Sequence, residues 1–309
     1  MIEVSHLTKK YGRFTAVDDI SFNIPKGEII GLLGPNGAGK TTTLRILTCY
    51  LTPSSGGVSI AGYDIYSDSL NIRKKIGYLS ENAPLYDEMN VEEYLSFAAE
   101  MQDVPMREIS KRIQHVSELC NIKDRLKQDI HELSKGYRQR VGLASTLIHD
   151  PEILILDEPT TGLDPNQRIE IRELIRKIGR EKTVILSSHI LSEVEATCDR
   201  VFIIHKGKIV ASGTPSELKS DMQGKKKIFL KVEGDLNRLL DTLPRFEGIE
   251  RVLDANQNAG ALDVVLEVKS GVDIRKPLIH FVLDSGFEIL ELHQEEKSLE
   301  DVFVQLTKT

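Results

Sequence analysis

No apolar run in the chain approaches the roughly eighteen residues needed to cross a bilayer. The longest, Ile29-Ile30-Gly31-Leu32-Leu33 and Val201-Phe202-Ile203-Ile204, have the length of buried strands. The opening stretch from Met1 to His6 is too polar for a secretory signal. The expected location is therefore cytoplasmic, with any hold on a membrane supplied by a partner. Cysteine is scarce: Cys49, Cys120 and Cys198 stand far apart with no paired spacing. That excludes a disulfide framework, argues against a metal cluster, and reads as three small buried hydrophobes in a reducing compartment. Positive charge is in deficit as well, 40 Lys and Arg against 47 Asp and Glu, for a net −7. A nucleic-acid binder carries the opposite balance, so no nucleic-acid partner is expected. With 309 residues, 40% of them hydrophobic, the chain has room for one large domain and one small one.

Strand-like and helix-like patterns alternate over the first 220 residues or so, which predicts an α/β layer architecture. Ile20 to Ile24 alternates with period two. The segment Glu28 to Leu33 contains an unbroken apolar run, Ile29 to Leu33, suited to a central strand covered on both faces. From about Ala83 to Gln128 the strand signal disappears, and Leu95, Ala98 and Ala99, then Ile109, Ile113, Val116 and Leu119, recur at helical spacing. This predicts a helical insertion. Strands return at Ile153–Leu156, Val184–Leu186 and Val201–Ile204. The basic joint Gly224-Lys225-Lys226-Lys227 reads as solvated surface, with lipid headgroups the minor alternative. Beyond it, a strand from Ile228 to Val232, a helix from Leu236 to Leu243 and two strands around Asn256-Gln257-Asn258-Ala259-Gly260 follow. A helix from Ile274 to Ser285 and a strand from Glu288 to Leu292 complete a β-α-β-β-α-β order, ferredoxin-like, before a last helix from Leu299 to Leu306.

Gly34-Pro35-Asn36-Gly37-Ala38-Gly39-Lys40-Thr41 matches G-x-x-x-x-G-K-[ST] between a buried strand and a helix. Its glycines let backbone N–H groups curl around phosphate oxygens, and the helix N-terminus adds positive potential. Lys40 can reach the β- and γ-phosphates, and the Thr41 hydroxyl can ligate Mg²⁺. Ile153 to Leu156 ends in Asp157 and Glu158. Asp157 is placed to hold the Mg²⁺ shell, and Glu158 to orient or deprotonate the attacking water.

With these motifs the chain resembles an ATP-binding cassette (ABC) ATPase over residues 1 to about 220. Leu133-Ser134-Lys135-Gly136-Tyr137 resembles the family's Leu-Ser-Gly-Gly-Gln signature, departing from it at Lys135 and Tyr137. The resemblance implies a P-loop cassette at 1–222, a mixed-sheet core with a helical subdomain at about 83–145, and an accessory α+β domain at 226–309. It extends the phosphate-binding stretch to Thr42. Tyr11 takes the place of the adenine-stacking aromatic and Val17 that of the small apolar residue beside it. Gly162-Leu163-Asp164 resembles the loop that crosses the dimer interface, and His189 the switch histidine at the γ-phosphate. Glu81 stands where the family has a glutamine near Mg²⁺ and the permease, and Pro84 to Met89 becomes the candidate permease groove.

The implied function is ATP hydrolysis with ATP and Mg²⁺. Two copies would face head to tail, each ATP lying between one copy's Gly34–Thr41 loop and the other's Ser134, Lys135 and Gly136, and dimer closure would power a separate polytopic permease. Glu81, the Leu-Ser-Lys-Gly-Tyr variant and Ser298-Leu299-Glu300-Asp301-Val302-Phe303 narrow the likeness to exporters, and within them to the gliding-motility-type subunit. Other readings are a cytosolic ABC protein acting on DNA or ribosomes, which would carry long coiled coils or a second cassette, and a stand-alone nucleotide-binding regulator.

Overall fold

The computed structural model describes residues 1–221, 226–258, 261–269, 274–295 and 299–307. The chain forms two compact units, Met1–Ser216 with Phe303–Thr309, and Glu217–Val302. The first opens with β1 (Ile2–Tyr11), β2 (Phe14–Ile24), β3 (Ile29–Leu33), α1 (Lys40–Leu47), β4 (Ser55–Ile60), β5 (Tyr63–Asp64), α2 (Ser69–Lys75) and β6 (Ile76–Leu79). Three helices follow, α3 (Val91–Met101), α4 (Met106–Leu119) and α5 (Lys135–Leu147). Then come β7 (Ile153–Leu156), α6 (Pro165–Gly179), β8 (Thr183–Ser188), α7 (Leu191–Thr197), β9 (Arg200–His205) and β10 (Lys208–Gly213).

The central sheet has the order β10-β9-β3-β8-β7-β6, parallel except for β10 at its edge. Every residue of β3, β7 and β8 is buried, as strands covered on both faces require. Before it lies an antiparallel sheet, β2-β1-β4-β5, of which the sequence pattern shows only the end of β2. Its inner residues, among them Val4, Leu7, Ile20 and Ile60, join Leu32, Ile155 and Phe202 in one core. The helical insertion begins at a capping box: Asn90 accepts from the Glu93 N–H, and the Glu93 carboxylate accepts from the Asn90 N–H. Leu95, Ala99, Ile109, Ile113 and Val116 form its buried stripe.

After α8 (Pro215–Asp221) the second unit contains β11 (Lys226–Glu233), α9 (Leu236–Thr242), β12 (Ile249–Asn258), β13 (Ala261–Val268), α10 (Arg275–Asp284) and β14 (Glu288–Glu295). Its sheet order, β12-β13-β11-β14, is the ferredoxin-like arrangement. Ile228 and Leu230 of β11, Leu262, Val264 and Leu266 of β13, and the helix residues Leu239 and Leu278 build a core of its own. The alternation of these strand residues puts them on one face, the face the two helices cover. The helix α11 (Leu299–Thr307) ends the described chain.

Three expectations change. β12 runs on through Asn256, Gln257 and Asn258, which pair with Asp263, Leu262 and Ala261, so the predicted turn begins later. Its remainder, Ala259 and Gly260, lies outside the described residues, as do Gly224 and Lys225 of the basic joint and Ser298. Lys226 and Lys227 open β11. Cys120 and Cys198 are buried as expected, but Cys49, in a left-handed turn just after α1 (φ 56°), is only half-buried. Burial pushes the Cys120 thiol up to about 12. Among the described residues, no helix is long and apolar enough to cross a membrane.

Candidate functional site

The parallel strands deliver the motif residues to one edge of the central sheet. Leu33 of β3 pairs with Ser188 of β8, Leu186 of β8 with Leu156 of β7, and Leu156 with Leu79 of β6. The segments that follow, Gly34 onward, His189, Asp157-Glu158 and Ser80-Glu81, therefore emerge side by side, beyond the carboxyl ends of the strands where open α/β sheets bind ligands. A cavity of about 380 Å³ opens there. Tyr11, Pro35, Asn36, Gly37, Ala38, Gly39, Lys40, Thr41, Thr42, Glu81, Glu158 and His189 all line it.

The loop is closely fitted. A Cβ on Gly34 would come within 2.4 Å of the Ile204 carbonyl oxygen, and one on Gly39 within 2.4 Å of the Ala16 oxygen. Gly39 also has φ 111°, a conformation side chains resist. Gly37 (φ 79°) has no atom of the described residues within 4 Å of its missing Cβ, which leaves an open cradle above the loop. Lys40, 6% exposed, donates to the Gly34 carbonyl at 2.7 Å and lies 3.3 Å from Glu158 Oε1. Its ammonium, the open cradle and the start of α1 suit a polyphosphate chain.

Glu158 is the hub. His189 Nδ1 lies 2.8 Å from Oε2, and since a carboxylate only accepts, Nδ1 carries the proton. Thr161 Oγ1 donates to the same oxygen at 3.2 Å. Glu158 has φ 50°, a left-handed conformation that costs a non-glycine residue about 1–3 kcal/mol and persists only where its surroundings impose it. Asp157, 2% exposed, accepts at Oδ1 from Ser187 at 2.6 Å and Thr41 at 3.2 Å. Hydroxyl and carboxylate oxygens form a donor set that suits Mg²⁺, which takes few protein ligands beside water and phosphate. Among the described residues no cluster of three or more His, Cys, Asp and Glu side chains could hold a metal by itself.

Not every predicted residue converges here. Val17, expected beside the adenine, is 1% exposed in the core, and its neighbour Ala16 lines the cavity instead. The β1–β2 register shifts at this point, from Lys9↔Val17 to Lys10↔Thr15, and such a bulge re-aims side chains in a way no alternation pattern reveals. Ser134, Lys135 and Gly136 do not line the 380 Å³ cavity; Ser134 and Gly136 face another, of about 950 Å³. Ser134 caps α5, accepting from the Tyr137 N–H at 3.4 Å. Gly136 packs so closely on Gln167 of α6 that a Cβ would come within 2.7 Å of it, and Lys135 lies over Gly162. Asp164 caps α6, accepting from the Gln167 N–H at 2.9 Å. Sequence reasoning misses Phe14, which lines the cavity and pairs with Tyr11 across the hairpin. The signal is available: a two-residue loop, Gly12-Arg13, sets its flanking residues opposite one another.

A family model described as ABC transporter matches residues 17–161, and one for the C-terminal domain of DrrA1-3-like ATP-binding proteins matches residues 213–307. The linearmycin resistance ATP-binding protein LnrL of Bacillus subtilis is 33% identical over 308 residues, covering 99% of this chain and 98% of the relative. The chain belongs to the ATP-binding proteins of ABC transporters. The daunorubicin resistance ATP-binding protein DrrA3 of Streptomyces coeruleorubidus is 31% identical over 99% of this chain and 95% of its own. Among solved structures, a dimeric post-hydrolysis state of the cassette MJ0796 with ADP and Pi aligns to 69% of this chain and 98% of its own, at 25% identity and a TM-score of 0.64. This ABC subunit binds and hydrolyses ATP for a transporter, and the readings as a DNA- or ribosome-acting protein or a free-standing regulator are set aside.

Proposed function

We propose that this ABC ATPase energises an exporter of antibiotic-like compounds, as a Mg²⁺-dependent homodimer on the cytoplasmic face of the membrane, held there by a polytopic permease. The resistance proteins among its relatives support the cargo class. Within the exporters, the likeness to the gliding-motility type rests on Glu81, the Leu133-Ser134-Lys135-Gly136-Tyr137 variant and the stretch Ser298 to Phe303. Residues 1–222 would serve as the nucleotide-binding domain and 226–309 as an accessory one.

The observation that carries the chemistry is Glu158, held between Lys40 and His189 at the mouth of the phosphate loop. Tyr11 would stack on adenine, Gly34 to Thr42 would cradle the phosphates, and Lys40 would neutralise them. Thr41 and Asp157, with Glu81 at the cavity wall, would hold Mg²⁺, which supplies charge neutralisation to the phosphates. Glu158 takes a proton from water as its oxygen attacks the γ-phosphorus. The bond to the bridging oxygen breaks, leaving ADP and inorganic phosphate, while His189 keeps the Glu158 carboxylate aimed. Ser134, Lys135, Gly136 and Asp164 would act on the nucleotide held by the second copy, which fits their separation from the cavity of their own chain.

The permease would dock on the groove of about 280 Å³ lined by Pro84, Tyr86, Tyr94, Phe97 and Met101. Glu158→Gln keeps the shape and removes the base. Turnover should fall by about two to four orders of magnitude, with ATP retained in a dimer visible by size-exclusion chromatography. Near-normal turnover would refute the assignment.

A further inference from the structure

β8 ends in Ser187 and Ser188, and Ser187 is wholly buried behind Val184, Ile185 and Leu186. A hydroxyl in such a place costs stability unless both its hydrogen-bonding capacities are used. Here they are. Ser187 Oγ donates to Asp157 Oδ1 at 2.6 Å and accepts from the Glu158 N–H at 2.9 Å. The directions are fixed by the partners, because an ionised carboxylate only accepts and an amide only donates.

One hydroxyl thus touches both acids at the end of β7, and it touches them at different points. For Asp157 it orients the side chain, fixing the oxygen that also receives Thr41. For Glu158 it holds the backbone. The Asp157 N–H still bonds to the Leu79 carbonyl of β6, whereas the next N–H, that of Glu158, has turned to the β8 side. The left-handed turn at Glu158 lies at this change of partner.

We propose that Ser187 is a positioning residue for hydrolysis: it holds Glu158 in its left-handed conformation, and so aims the base, while it orients Asp157 toward Thr41. This rests on the reading of Glu158 as the base. Ser187 acts only through its two neighbours and touches no substrate.

The test compares wild-type protein with Ser187→Ala, Ser187→Thr, Glu158→Gln and the double variant Ser187→Ala/Glu158→Gln in the full chain. It measures kcat and KM for ATP, single-turnover hydrolysis, and binding of a fluorescent ATP analogue with and without Mg²⁺. Ser187→Ala should lower kcat by about 10- to 100-fold while KM and metal-free nucleotide affinity stay within about threefold, the pattern of a lost transition-state contribution. Affinity measured with Mg²⁺ should fall more than affinity without it. Ser187→Thr, which keeps the hydroxyl, should recover most of the rate. On the Glu158→Gln background the same Ser187→Ala change should cost several-fold less than on the wild-type background, because the base it aims is already disabled and only its hold on Asp157 remains to be lost.

Losses that multiply in the double variant would overturn the proposal. So would a Ser187→Ala protein with kcat within about threefold of wild type. If Ser187→Ala does not melt cooperatively, Ser187→Cys, similar in size and a weak hydrogen-bonder, is judged by the same criteria. Near-normal turnover in Glu158→Gln alone would instead refute the base assignment and the inference with it, which separates the two failures.

Discussion

Two aromatic side chains line the cavity where adenine is proposed to bind, and they differ in exposure. Tyr11 is 46% exposed and has Lys9 Nζ 5.3 Å from its ring centre; Phe14 is 61% exposed. A large apolar ring left in water beside a ligand cavity is accounted for when a flat ligand covers it. Stacking on one aromatic contributes about 1–3 kcal/mol per base by alanine substitution. Tyr11→Ala and Phe14→Ala should therefore each raise the KM for ATP by roughly 5- to 100-fold with little change in kcat. Steady-state kinetics separates the two parameters, and an unchanged KM in Phe14→Ala would remove that ring from the base site.

At the scale of elements, the joint between α5 and β6 contains a histidine with a pH signature. His149 follows α5, and its Nε2 lies 3.2 Å from the Ile76 carbonyl of β6, while its Nδ1 is buried with no hydrogen-bond partner among the described residues. Burial pulls its pKa below the ordinary 6.5; the bond to Ile76 and nearby Asp150 oppose the shift, and Lys182 and Arg112 add to it. The unfolded chain then takes up a proton that the folded chain resists. Stability from this group is fully present above pH 6.5 and is lost as pH falls from there toward the folded value. One such group contributes a slope of at most about 1.4 kcal/mol per pH unit. Denaturant melts of His149→Gln between pH 5 and 7.5 should show a flatter dependence than wild type. Asp150 and Glu152, whose pKa values are held down by bonds to Lys182 and Lys75, lose their contributions only in a more acidic range. Parallel pH curves for the two proteins would place the titrating group elsewhere.

For the whole molecule, the decisive arrangement is the separation between the phosphate loop and the Ser134 segment proposed to complete it from a second copy. The loop with Lys40 and the cap Ser134 face different cavities of the same chain. A two-fold dimer can join the loop of one copy to the cap of the other, and it produces the composite site twice. Lys40→Ala and Ser134→Ala chains, each defective alone, should when mixed form dimers with one site carrying both defects and one carrying neither. Hydrolysis should recover to as much as about half of the wild-type rate per mixed dimer if the sites act independently. A mixture no faster than its parts would argue against sharing.

The sequence by itself determined the parts whose chemistry is local. The phosphate loop, the Asp157-Glu158 strand end and the ferredoxin-like order of the second unit were all legible, because a glycine pattern, an apolar run or a change of period writes each into consecutive residues. The fully buried β3 and β7 could be read for the same reason. Tertiary structure alone decided what depends on pairing between distant segments. The bulge that replaces Val17 by Ala16 belongs to the register of two strands, and the antiparallel sheet of β1, β2, β4 and β5 has edges too mixed in burial to announce themselves. The ion pair of Lys40 with Glu158 spans more than a hundred residues of chain, and the Ser187 bridge joins two strands that no local pattern relates. Local propensity acts through neighbours in sequence, whereas these contacts exist only once the sheet has brought its strands together.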